Sequence, residues 1–278
     1  MTEIRTPADF YRRHPISSEI ILAKLKAKRG SLDRVEPPEL FEFDQDHYGG
    51  LPVNDALAEL AGLRPGLEVV DFCAGLGGPA RYFAHKYGVT VRGIDLTPER
   101  VAGAATLTRL VGMQDRVTVV QGNVEEVPIP DKSADVVISQ EAFLHLPHRD
   151  RAIAEAFRIL RPGGRLAFTD WVVHRPLSAD ERKLLWDGIA VEELESFATY
   201  ETLLTAKGFT VARVVDLTTD WAVILRERMR MFRDLRRQAE EAGTPAGHDA
   251  FYEAYVLFVR LIEERALGGG RFLAVKPA

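Results

Sequence analysis

Residues 69–81 read VVDFCAGLGGPAR, and the architecture follows from how that stretch changes character. The run LEVVDFCA (67–74) is apolar apart from Glu68 and Asp71 and reads as a buried strand. It breaks into Gly75-Leu76-Gly77-Gly78. Pro79 then opens a helix in which Ala80, Phe83, Ala84 and Tyr87 fall at i, i+3, i+4 and i+7. A strand that turns through glycines into a helix leaves backbone N–H groups and the positive helix end facing whatever lies above the strand. Twenty residues beyond Gly75 stands Asp95, at the end of a second strand-like run, VTVRGIDL (89–96). A carboxylate there accepts both hydroxyls of a ribose. The glycines and Asp95 together form a nucleoside-binding constellation, but alone they fit NAD(P) and other adenosine cofactors equally.

Working outward, apolar runs keep alternating with amphipathic stretches, the signature of a parallel sheet covered by helices on both faces. Further strands are expected at 116–122, 134–141, 164–173, 209–217 and 269–277, making seven in all. Thr97-Pro98 starts the helix after the second strand, and Ile153, Ala156, Phe157 and Leu160 mark one face of the helix before the fifth. Four segments follow: an N-terminal helical arm and cofactor-covering loop (1–50), a Rossmann-like core (51–175), a helical lid insertion (176–207), and the rest of the core (208–278) with a helical insertion at 221–265. No internal repeat or low-complexity tract is apparent.

Composition narrows the function classes. The chain has 278 residues, 46% hydrophobic and 28% charged, ordinary values for a globular α/β protein. Its net charge of −5 and the absence of a basic patch argue against a nucleic-acid partner. A single cysteine, Cys73, excludes an internal disulfide framework or a cysteine zinc site and suits a reducing, cytoplasmic location. The IILAKLK run is too short and too charged to serve as a signal or membrane segment.

Asp71 sharpens the reading. A carboxylate inside an apolar strand needs hydrogen bonds or a charge partner, so it either caps the amides of the glycine loop or organises that loop around a cationic ligand. At this point VVDFCAGLGG resembles the first motif of class I S-adenosylmethionine-dependent methyltransferases, and the similarity runs from about residue 46 to the C-terminus. GIDL, QGNVEEVPIPDKSADVV, SQEAFLHLPHR and LRPGGRLAFTDW resemble the later motifs in order, which disfavours a nicotinamide oxidoreductase. A non-catalytic or cyclising protein of the same fold is the other rival. The resemblance implies a seven-stranded, mostly parallel sheet with a reversed last strand and a helical lid. It also implies S-adenosylmethionine as cofactor, yielding S-adenosylhomocysteine, with contacts from Asp71, Gly75, Gly77, Asp95, Leu96, Asn123, Val124, Gln140 and Tyr48. Asn123 stands where the family usually has aspartate; its carbonyl oxygen still accepts a bond from an adenine amino group. Tyr48 is expected to bond the methionine carboxylate or to exclude water.

The SQEAFLH and FTDW segments are similar to those of sarcosine and dimethylglycine N-methyltransferases, phosphoethanolamine N-methyltransferases and natural-product sugar O-methyltransferases. This implies His145, Glu141 and Asp170 as catalytic residues, with His145 taking the acceptor's proton and the acids orienting the acceptor or balancing charge. No metal is expected, because Trp171 follows Asp170 where metal-dependent relatives carry further ligands. A cysteine-relay arsenic methyltransferase is excluded by the single thiol. Trp186, Tyr200, Trp221, Phe251 and Tyr255 are expected to roof the acceptor. Aromatic faces with Glu141 and Asp170 beneath favour N-methylation of a small amine over O- or C-methylation of a natural product. A homodimer is the candidate assembly, with a small-molecule acceptor and no nucleic-acid or membrane partner.

Overall fold

The computed structural model describes residues 6–12, 14, 16–241 and 250–278. Its elements, in chain order, are α1 (Pro7–Tyr11), α2 (Ser18–Arg29), α3 (Pro37–Leu40), α4 (Gly50–Ala61), β1 (Glu68–Phe72), α5 (Gly78–Tyr87), β2 (Thr90–Asp95), α6 (Pro98–Leu110), β3 (Val117–Gln121), β4 (Ala134–Gln140), a 3-10 turn (Phe143–His145), α7 (Arg149–Ile159), β5 (Leu160–Val173), α8 (Ala179–Ile189), α9 (Phe197–Ala206), β6 (Thr210–Asp216), α10 (Thr218–Glu241), α11 (Ala250–Glu263) and β7 (Leu267–Val275). The seven strands form one sheet in the order β3-β2-β1-β4-β5-β7-β6. All pair in parallel except β7, which slots antiparallel between β5 and β6. Winding reverses between β1 and β4, so a crevice opens above the carboxyl ends of those two strands, where open α/β sheets keep their ligands.

Two apolar clusters cover the faces of the sheet. One gathers Val69, Val91, Ile138 and Ala167 under α2, α4 and α5, with Ile21, Leu25, Leu40 and Leu57 buried in it. The N-terminal arm is therefore largely core: among its described residues, those that reach the crevice lie between Thr6 and Ile16 and between Asp44 and Tyr48. The other gathers Phe72, Phe168, Phe272 and Ile153 with Tyr200 and Leu204 of α9. Helix α9 thus packs on the sheet as an ordinary crossover helix, and the expected lid at 176–207 divides. Its first half, α8, joins α10 and α11 in a third cluster of Trp171, Leu185, Ile189, Trp221, Tyr255 and Phe258, which caps the crevice.

Candidate active site

At the switch point lies a cavity of about 470 Å³, within the range that takes a cofactor-sized ligand. Its floor is the glycine loop. After β1 the chain passes through Cys73 (φ 59°), Gly75 (φ 55°) and Gly77 (φ 74°), a left-handed succession that glycine makes cheap. A side chain at Gly75 would meet no protein atom within 4 Å and would project into open space, whereas Gly77 packs on Arg81 and Val119 and does not line the cavity. The Asp95 carboxylate fixes the loop by accepting the Gly75 N–H at 2.8 Å and the Thr97 N–H at 2.9 Å. Asp95, not Asp71, therefore caps the loop. Asp71 lines the cavity and accepts no hydrogen bond among the described residues; burial, and then the charge of Asp95, push its carboxyl up to about 8. The Gln140 amide is also without a partner at either its oxygen or its nitrogen, and Gln140 lines the same wall.

Toward β3, Leu96 and Asn123 line the cavity while the Val124 side chain is buried behind it. The Asn123 carbonyl oxygen already accepts the Glu125 N–H at 2.9 Å, which keeps one lone pair and the amide NH2 for a ligand.

The segment 44–48 crosses the opposite rim. A Cβ at Gly78 would sit 1.8 Å from the Asp44 carbonyl oxygen, so the third glycine exists for this crossing. Asp44 and Arg81 form a fully buried ion pair at 2.9 Å, and Arg81 also donates to the Leu76 carbonyl at 2.7 Å. Four residues on, the Tyr48 N–H reaches both oxygens of Glu141 at 2.9 and 3.1 Å. Glu141 itself stands at φ 53°, and burial raises its carboxyl to about 8. The Tyr48 ring lies 5.5 Å from Trp171 and from Trp221, with the Arg228 guanidinium 4.4 Å from its centroid. Its phenol therefore faces the aromatic wall, beside Tyr255 and Arg228.

His145 departs from its expected role. Its Nδ1 lies 2.8 Å from the Ala190 carbonyl, which only accepts, so Nδ1 carries the proton and Nε2 the lone pair. Tyr11 donates its hydroxyl to that lone pair at 3.0 Å. Burial lowers the imidazole to about 4. It is a neutral, already hydrogen-bonded ring that lines the cavity beside Tyr11. Asp170 departs further: it is fully buried, accepts the Tyr200 hydroxyl at 2.5 Å and the Leu144 N–H at 3.4 Å, and lies outside the cavity lining. Of the expected roof, Tyr255 lines the cavity. Tyr200 and Trp221 stand behind it, Trp186 is not in it, and the Phe251 side chain lies outside the described residues. Sequence reasoning missed Tyr11, Asp46, Arg100, Arg228, Phe232 and Phe258, all of which line the cavity. Arg100 pairs with Asp46 at 3.1 Å and stacks 4.8 Å from the Tyr11 ring centroid.

Among the described residues no group of three or more His, Cys, Asp or Glu side chains is placed to hold a metal ion, and no helix is long and apolar enough to cross a membrane.

Residues 70–168 match the model of a methyltransferase domain. The chain is 40% identical to the sarcosine/dimethylglycine N-methyltransferase of Halorhodospira halochloris, over 43% of its own length and 41% of that protein. It thus spans less than half of that relative. It is 33% identical to the 27-O-demethylrifamycin SV methyltransferase of Amycolatopsis mediterranei (strain S699), over 81% of this chain and 83% of that one. Among solved structures, phosphoethanolamine N-methyltransferase 2 of Haemonchus contortus, in complex with phosphomonomethylethanolamine and S-adenosylhomocysteine, shares the fold at a TM-score of 0.78 and 22% identity, over 99% of this chain and 61% of that one. Identity of this extent across both chains closes the nicotinamide alternative, and the chain belongs to the S-adenosylmethionine-dependent methyltransferases.

Proposed function

We propose that this protein transfers the methyl group of S-adenosylmethionine to the nitrogen of a small amine held between the glycine loop and the aromatic wall. The observation that carries the reading is the cavity lined by the Asp71 carboxylate and the Gln140 amide, neither hydrogen-bonded among the described residues, together with Tyr48, Trp171, Tyr255 and Phe258. A buried carboxylate with no partner is costly unless a cationic ligand completes it, and this cofactor carries an ammonium and a sulfonium. Asp95 retains lone pairs for ribose hydroxyls, Asn123 faces the adenine end, and the open space at Gly75 admits the methionine part. When bound, the cofactor supplies an electrophilic methyl on a positive sulfur that departs as a neutral thioether.

The chain's own contribution is to orient the acceptor, exclude water and take one proton. Glu141 suits the last task. It lines the cavity, its carboxyl is held in place by the Tyr48 N–H, and an ionisation near 8 matches proton transfer close to neutral pH. Aromatic faces beside that carboxylate suit an amine. A hydroxyl acceptor is the second reading. It is favoured by the withdrawal of Asp170 from the cavity, which leaves one acid of the expected two, and by the rifamycin methyltransferase, which matches over more of the chain. The single cysteine supports a reducing, cytoplasmic setting.

The test is to incubate the protein with labelled S-adenosylmethionine and a panel of amine and hydroxyl metabolites. Label is expected in an amine product. Transfer only to hydroxyls reverses the ranking, and cofactor binding without transfer to any acceptor points to a non-catalytic or cyclising protein of the same fold.

A further inference from the structure

Among the described residues two arginines line the cavity, and they are treated differently. Arg100 is almost fully buried and ion-paired with Asp46 at 3.1 Å. The other buried arginines among the described residues follow the same rule: Arg81 pairs with Asp44 at 2.9 Å and Arg149 with Glu195 at 2.7 Å. Arg228, half-buried on α10 at the acceptor end, has no ion-pair partner among the described residues. It donates to the His47 carbonyl at 3.1 Å and lies over the Tyr48 ring at 4.4 Å. Glu141, the acid on which the Arg228 charge acts, has both oxygens on the Tyr48 N–H, and burial outweighs the arginine and raises its carboxyl to about 8. Phe232, Phe258, Ile189 and Trp171 line the same cavity, and the Tyr255 hydroxyl faces Arg228.

A guanidinium carries five N–H donors in a planar fork that fits carboxylate and phosphate oxygens in pairs. At an apolar wall only half open to water, such a fork gains most from an anion that enters the cavity beside it. We infer that Arg228 is a specificity-determining residue that binds an anionic group, carboxylate or phosphate, on the methyl acceptor. The inference rests on the methyltransferase reading and adds the second end of the substrate: a nucleophile near Glu141 and an anion against Arg228.

The experiment titrates the protein, saturated with S-adenosylhomocysteine, with benzoate, phenyl phosphate and the neutral benzyl alcohol, followed by calorimetry and by the fluorescence of Trp171 and its neighbours. At least one anion is expected to bind about tenfold more tightly than benzyl alcohol, and the stronger of the two names the group. Arg228→Gln should abolish that preference, Arg228→Lys should keep part of it, and both should bind S-adenosylhomocysteine within about twofold of the parent. Equal binding of all three probes, no binding by either anion, or a preference that survives Arg228→Gln overturns the inference. So does a tenfold loss of S-adenosylhomocysteine affinity in Arg228→Gln, since the arginine would then serve the cofactor's own carboxylate. If the glutamine variant does not fold, the lysine variant decides, because a purely structural arginine gives no anion preference to retain. Failure of the methyltransferase reading is separable: the parent would not bind S-adenosylhomocysteine at all.

Discussion

Replacing Asp71 by asparagine should make the protein more stable when empty and a poorer binder of its cofactor, two effects of opposite sign from one atom. In the folded chain this carboxyl is pushed from its ordinary 3.8 up to about 8, first by burial and then by the charge of Asp95. At pH 7 ionisation of an ordinary carboxyl is worth about 4 kcal/mol to the unfolded chain, and the folded chain recovers almost none of it. Asparagine removes that imbalance and introduces a buried amide whose unmade hydrogen bonds cost about 1–3 kcal/mol. The net gain is about 1–3 kcal/mol, with Tm rising roughly 2–4 °C for each kcal/mol. The sign can be checked against pH. A carboxyl with a raised folded pKa favours the folded state below 3.8 and loses that contribution as pH climbs toward about 8. The advantage of Asp71→Asn should therefore be small at pH 5 and largest near pH 8.

Adding S-adenosylhomocysteine should reverse the order. The variant forfeits a charge-assisted contact to the ligand's ammonium, worth about 1.5–3 kcal/mol, or roughly 10- to 150-fold in Kd. Thermal denaturation at pH 5, 7 and 8 without ligand, combined with calorimetric titration, reads both effects. An empty variant less stable than the parent at pH 8, or unchanged affinity for S-adenosylhomocysteine, refutes the claim that Asp71 waits unpaired for a cation.

Three further outcomes follow from the same geometry. Glu141→Gln should lower kcat by about 10²-fold or more while leaving cofactor affinity nearly intact, and should erase the rise in rate with pH that the parent shows as this acid, with a value of about 8, ionises; parent-like turnover removes Glu141 from proton transfer. His145 is depressed to about 4, so its neutral ring contributes stability in full above 6.5 that is lost as pH falls toward 4. His145→Gln should therefore gain on the parent by about 3 kcal/mol in urea denaturation between pH 7 and pH 4, and a constant difference would show that the ring titrates normally. Asp44→Asn leaves Arg81 buried without its partner and should cost about 3–5 kcal/mol, whereas Asp44→Asn combined with Arg81→Met should restore much of it; a double loss equal to the sum of the two single losses would mean that the pair is not coupled.

The sheet and the cofactor floor were legible in the sequence because strands and glycine turns leave local signals. The apolar runs at 67–74, 89–96 and 134–141 became β1, β2 and β4, and the spacing from Gly75 to Asp95 became the contact between them. Helix α4 was illegible. It starts at Gly49 in a left-handed turn with no side-chain cap and has Pro52 in its first turn, so neither a capping residue nor a clean apolar period announces it. The misplacement of Asp170 was avoidable. Successive residues of a strand point to opposite faces, and in β5 Phe168 and Val172 share one cluster while Trp171 joins another. The position of Asp170 between them assigns it to the face of Phe168, under α9, and leaves Trp171 to the cavity. Tyr11 and Arg228 had no such signal. Arg228 is one of several arginines on α10 and Tyr11 ends a helix of 5 residues, and only tertiary packing brings residue 11 to residue 145 and residue 228 to residue 47.

Those long-range contacts explain why the site is one unit. Asp44 locks to Arg81 beneath the glycine loop, Gln45 bonds Asp44 at 2.6 Å and accepts from Asn54 at 2.7 Å, and the His47 ring lies 3.1 Å from the Gln45 amide oxygen. The His47 carbonyl then takes Arg228, and the Tyr48 N–H holds Glu141. Five consecutive residues therefore fix the glycine loop, the acid proposed to take the proton and the cation proposed to select the acceptor. A shift in this strap displaces all three together, and because they share partners their energies do not add. The third glycine of the loop belongs to the same arrangement: Gly78 lacks a side chain because the Asp44 carbonyl occupies the place a Cβ would need. The glycine-rich motif thus serves two purposes in this chain. Gly75 leaves room for the ligand, and Gly78 leaves room for the strap that closes over it.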